Sequence, residues 1–174
     1  MLEHKTLTPV ERLQLINQFR ILEKLYPEHA EDYAASREII AHGYAIQYEE
    51  AFTEVYEEMD VEEGEYVYDV LNLHRTLVQS YEALTDKKGL TLDDIRFRGF
   101  DGNNETKRWA FAEHLQKQGK WKETLTGGLN SHSEMTMHRY PRMLEKFEPI
   151  RQQILASLTG NWLLTAEQIR EVIS

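Results

Sequence analysis

Asp101-Gly102-Asn103-Asn104-Glu105 sets oxygen-bearing side chains at the first, third, fourth and fifth places of one short run, a spacing close to that of a calcium loop. The template fails further on: its sixth place requires glycine and its twelfth a bidentate Glu, where this chain has Thr106 and Ala112. No metal is expected there. The chemistry left to Phe100, Asp101, Asn103, Asn104 and Glu105 is recognition of a polar small molecule at the start of the next helix, whose free N–H groups favour negative charge. Asp101 and Glu105 oppose a strongly anionic ligand, and the same residue types serve equally as caps and turns.

His132, between Ser131 and Ser133 and six residues before His138, is the second candidate, because imidazole titrates near neutrality and can ligate or transfer protons. Catalytic partners converge from distant positions, whereas these neighbours are contiguous. The chain contains no H-E-x-x-H, G-x-S-x-G, G-x-x-x-x-G-K-[ST] or G-x-G-x-x-G. The residues therefore point first to a non-enzymatic ligand-sensing or protein-interaction module that needs no cofactor. The alternative is a small enzyme whose polar site is formed by the Asp101 and His132 loops.

Those loops must be positioned by helices, and the apolar spacing predicts an all-α, multi-helical single domain over residues 1–174, with irregular segments near 97–104 and 124–133. Thr8-Pro9-Val10-Glu11 opens a helix to about Leu25, with Val10, Leu13, Ile16, Phe19, Leu22 and Tyr26 as one stripe. A second helix follows Pro27 and stops near Gly43. Tyr44 to Met59 predicts a third, separated at Gly64 from the most strongly patterned one, Glu65 to Leu84. After a short turn from Thr91, Asn103 or Asn104 caps a helix that ends at Gly119. Ser133 or a neighbour caps the next, which carries Tyr140, Met143, Phe147, Ile150 and Leu158 inward and which Pro149 should bend or interrupt. Thr165-Ala166-Glu167-Gln168 opens the last helix. Gly99 or Gly102 is expected at positive φ.

The chain has 174 residues, no cysteine and a net charge of −10. A domain of that size buries enough surface to need no staple, and lack of cysteine removes disulfides, thiolate metal sites and cysteine nucleophiles. From Glu38 to His74 there are eleven acids and no Lys or Arg; from Asp86 to Lys146, twelve Lys or Arg face nine acids. That balance disfavours direct nucleic-acid binding. With neither a secretory h-region nor a long apolar span, membrane insertion is not expected and a cytoplasmic location is. Tyrosines among the acids, and apolar residues on several faces of the predicted helices 44–59 and 65–84, predict a homo-oligomer, a dimer first.

Arg12-Leu13-Gln14-Leu15-Ile16-Asn17-Gln18, Phe97 through Glu105, Asn130-Ser131-His132 and Tyr140-Pro141-Arg142-Met143-Leu144 together resemble the YfbU family of bacterial proteins, over nearly the whole chain from about Leu7. The resemblance implies a helical cytoplasmic protein. Because related domains occur beside helix-turn-helix modules, it also implies ligand sensing, while supplying no reaction and no catalytic residues.

Overall fold

The computed structural model describes residues 6–52, 55–133, 135–156 and 162–174. Among the described residues there are eight α-helices and no strand, only an isolated bridge, so the chain is all-α as its periodicity requires. It forms two compact units, residues 1–58 and 59–174. No helix among the described residues is long and apolar enough to cross a membrane.

The first unit is a helical hairpin, α1 (Pro9–Leu25) and α2 (Ala30–His42), followed by the short α3 (Tyr48–Ala51). Thr8 and Glu11 cap α1 reciprocally: the Thr8 hydroxyl accepts the Glu11 amide while the Glu11 carboxylate accepts the Thr8 amide. The Arg12 guanidinium donates to the carbonyls of Ile40 at 2.8 Å and Ala41 at 2.5 Å, adding a side-chain partner at the end of α2, where the Gly43 amide also donates to Ile40. Gly43, at φ 72°, ends α2 as expected. Two expectations fail in this unit. Val10, Leu13 and Tyr26 are exposed, so the predicted inward stripe of α1 shrinks to the half-buried Ile16, Phe19 and Leu22 facing a single partner helix. The helix expected from Tyr44 to Met59 is reduced to α3, and residues 55–60 are non-helical.

In the second unit α4 (Val61–Ala83) is the centre, with α5 (Leu92–Ile95), α6 (Thr106–Lys117), α7 (Met135–Ala156) and α8 (Ala166–Ile173) all touching it. Val67, Val70, Leu71, Leu73, His74 and Leu77 are wholly buried, a stripe wide enough to serve four neighbours. Gly64 does not separate two helices; it lies in the first turn of α4, where its lack of a side chain leaves room beside Phe111. The Ser80 hydroxyl accepts the Leu164 amide at 2.9 Å, tying the segment before α8 to α4.

Pro149 does not interrupt α7, nor does Pro141. Both are exposed, so water can reach the carbonyls of Met137 and Glu145 that lose their donors. Thr136, Tyr140, Met143, Phe147 and Ile150 are buried at alternating spacings of four and three. Leu158 lies outside the described residues. α8 begins with the expected Thr165–Gln168 capping box and buries Ile169 and Val172. Tyr68, rather than waiting for a second chain, stacks on Trp121 and meets Phe111 edge-on.

Candidate ligand site

The two irregular segments meet. The Phe100 amide donates to the Leu129 carbonyl, the Ser131 amide donates to the Phe100 carbonyl, each at 2.9 Å, and the result is a short parallel bridge between Phe100 and Asn130. The Asn130 side-chain oxygen accepts the amides of Gly102 at 3.1 Å and His132 at 3.0 Å, holding the next residue of both segments. Gly99, at φ 86°, makes the approach possible, since a Cβ there would collide with the Leu129 carbonyl. Gly102 is not at positive φ, but a Cβ on it would press into the Asn130 amide.

The predicted site residues divide sharply by environment. Phe100 is fully buried against Phe97, Tyr66 and Tyr140. Asp101 is buried too, its carboxylate accepting the Asn104 side-chain amide at 2.7 Å and the Asn103 backbone amide at 3.1 Å. Those bonds, with a smaller contribution from the nearby His132, hold its carboxyl below the usual range. Neither Asn103 nor Asn104 caps α6; Glu105 occupies that position. The reason is local: Asp101 organises the turn, and the Glu105 amide closes it by donating to the Asp101 carbonyl at 2.6 Å. Glu105 is buried and accepts from Asp101 and from Arg108, whose guanidinium also reaches Glu63 and lies over the Tyr66 ring. Asn103, Asn104 and His132 are exposed, the last at φ 49°.

On another side of the bridge lies a cavity of about 1190 Å³, and none of those six residues lines it. Arg96 and Arg98 reach it from the strand-like stretch after α5, and Arg139 and Arg142 from α7. Thr124, Gly127, Gly128 and Ser131 contribute the second irregular segment, while Phe97 and Met143 give an apolar floor. Asp93 pairs with both Arg96 and Arg98. Arg139 and Arg142 instead donate to backbone carbonyls, those of Asp94 at 2.7 Å and His138 at 3.2 Å. Behind the floor sits His74, wholly buried, 2.8 Å from the Ile95 carbonyl through Nδ1 and with no partner on Nε2. Burial pushes its pKa down to about 4, against the raising influence of Ile95 and with help from the Arg139 charge.

Residues 5–174 match the YfbU domain. The chain belongs to the YfbU family. A UPF0304 protein of Methanocaldococcus jannaschii is similar, with 33% identity over 150 residues covering 82% of this chain and 88% of that protein. UPF0304 proteins of Actinobacillus succinogenes, 30% identical over 80% of this chain and 85% of theirs, and of Mannheimia succiniciproducens, 28% identical over 87% and 93%, are similar too. The YfbU match includes residues of both compact units.

Within this YfbU chain the sequence singled out the two segments that the Phe100–Asn130 bridge joins, but not Arg139, Arg142 or Thr124, which line the cavity beside it. The available signal was a pair of arginines three apart on one helix, which share a face. Which face would look onto a cavity is decided by α4 and α5, far away in sequence.

Proposed function

We propose that this YfbU chain is a non-enzymatic ligand-sensing module whose ligand enters the cavity beside the Phe100–Asn130 bridge. The observation that carries this reading is the cavity itself: at about 1190 Å³ it is open and roomy enough to admit a small molecule, and its lining combines apolar with polar and charged groups. The six residues foreseen from sequence act in this reading as the frame of the site, with Asn130 joining the Asp101 and His132 segments behind the lining. A ligand that binds only the folded chain raises the melting temperature with its occupancy. A thermal-shift screen of small metabolites against the whole chain tests the reading: a saturable rise abolished by filling the cavity with Gly128→Trp supports it. No saturable rise with any compound, or one untouched by that substitution, rejects it.

The self-association reading is favoured by a different observation. Val10, Leu13, Ile21 and Leu25 of α1 are each more than half exposed and fall on one side of the helix, with the exposed Gln14, Asn17 and Lys24 among them. Such a mixed face can pack against another helix through its apolar members. Light scattering at two salt levels checks it: a salt-stable dimer lost on Leu13→Glu and Ile21→Glu supports this face, and a monomer throughout rejects it.

A further inference from the structure

Resting on the reading of the cavity as a ligand site, we propose that its ligand carries a carboxylate or phosphate group held by Arg98, Arg139 and Arg142. The chain as a whole is strongly acidic, at −10, yet four guanidinium groups line this one cavity against the two carboxylates of Glu82 and Glu123. Glu123 is already taken by Arg75. Arg139 and Arg142 spend their hydrogen bonds on carbonyl oxygens rather than on a carboxylate, although the charges of Arg139 and Arg98 act on the nearby Asp94 carboxyl, and Arg98 keeps a buried Nε with no acceptor. Guanidinium forks match planar carboxylates and phosphate oxygens, two N–H groups to two oxygens, better than any neutral acceptor.

Two independent features complete the case. Thr124 is 95% buried, being only 5% exposed, and its hydroxyl has no partner although the residue belongs to the cavity wall. An orphaned buried hydroxyl is uncommon; this one has almost no accessible surface in the free chain, so a ligand bonds to it only if the wall opens toward the cavity. Gly127 and Gly128 also line the wall, with open space where their side chains would stand, so a ligand can approach their backbone amides closely. A concave cavity, in a chain of net charge −10, favours a small molecule over a nucleic-acid backbone.

The experiment uses the full chain labelled with ¹⁵N, titrated with citrate, with inorganic phosphate and with sodium chloride at matched ionic strength. Citrate or phosphate should shift the Gly127 and Gly128 amide signals saturably and raise the melting temperature above the chloride control; whichever does so at lower concentration identifies the head group. Arg142→Gln and Arg139→Gln should each weaken that binding about tenfold or more, the scale of one charge-assisted pair, while Lys120→Gln changes nothing. The proposal is overturned if neither anion exceeds chloride, or if both arginine variants bind as the native chain does. A panel of neutral fragments separates this failure from that of the underlying reading. Neutral compounds that shift the same glycine amides, where both anions do not, would keep the cavity as a ligand site and remove the anion assignment; silence from every probe would remove both.

Discussion

Tyr140 and Gly99 are joined by a buried hydrogen bond, the phenol donating to the glycine carbonyl at 2.9 Å while the same oxygen accepts the Arg98 amide at 3.2 Å. One side chain of α7 thus satisfies two backbone groups of a loop that makes no regular secondary structure. Burial raises the Tyr140 pKa, so the phenol stays protonated and able to donate across the ordinary pH range. Tyr140→Phe keeps the ring among Phe97, Phe100 and His74 but strands both backbone groups. Urea denaturation should show a loss of about 1–3 kcal/mol, the cost of leaving such groups unsatisfied.

Gly99 and Gly89 both lie at positive φ, 86° and 81°, but their surroundings differ: a Cβ at Gly89 meets nothing within 4 Å, whereas one at Gly99 strikes the Leu129 backbone. Gly89→Ala should therefore cost only the strain of a left-handed residue, about 1 kcal/mol. Gly99→Ala adds the rupture of the bridge to Leu129 and should cost at least about twice as much. Equal losses in chemical denaturation would mean that the bridge contributes nothing.

His74 makes stability depend on acidity. Its folded pKa of about 4 lies below the ordinary 6.5, so between those values the unfolded chain binds a proton that the folded one refuses. Stability from this residue is therefore highest above pH 6.5, falls as pH drops toward 4, and levels off below. The expected contribution is on the order of 1–3 kcal/mol. Comparing native chain with His74→Gln at a series of pH values isolates it: the gap between the two should change across that window and nowhere above it.

Glu105 and Arg108 are unequally buried, the carboxylate side chain 1% exposed and the guanidinium 26%. Removing the cation alone leaves a buried charge without its partner, so Arg108→Met should destabilise by about 3 kcal/mol or more. Adding Glu105→Gln removes that charge as well and should recover a substantial part. Thermal melts of both single variants and the double variant measure the coupling, and strictly additive losses would show that the pair does not act together.

What could be read from the sequence was what neighbouring residues decide among themselves. Thr8 with Glu11, Thr165 with Gln168, and Gly43 and Gly119 at helix ends all act within a turn of their own position. The overlong helix at 44–59 has a local cause that apolar spacing alone conceals. Glu50, Glu54 and Glu58 follow one another at four-residue intervals, a spacing of like charges that weakens a helix by about 0.2–0.5 kcal/mol per pair. The cavity was hidden for the opposite reason. Arg98, Thr124 and Arg139 are brought together only when α5 and α7 dock on α4, and no short-range pattern records that. Leu73 shows the same limit: it is buried because α4 is packed on four sides.

The Phe100–Asn130 bridge also works as a clasp. It fastens the two ends of the excursion that carries α6, so the far end of that excursion is free to change length without loosening what the clasp holds. Closing a flexible loop costs only about 0.6 kcal/mol more each time its length doubles. Residues 118–120, all exposed at the far end of α6, are thus where this chain can accept inserted sequence or a reporter tag, as long as Trp121 keeps its stack on Tyr68, because the same excursion goes on to supply Thr124, Gly127 and Gly128 to the cavity wall.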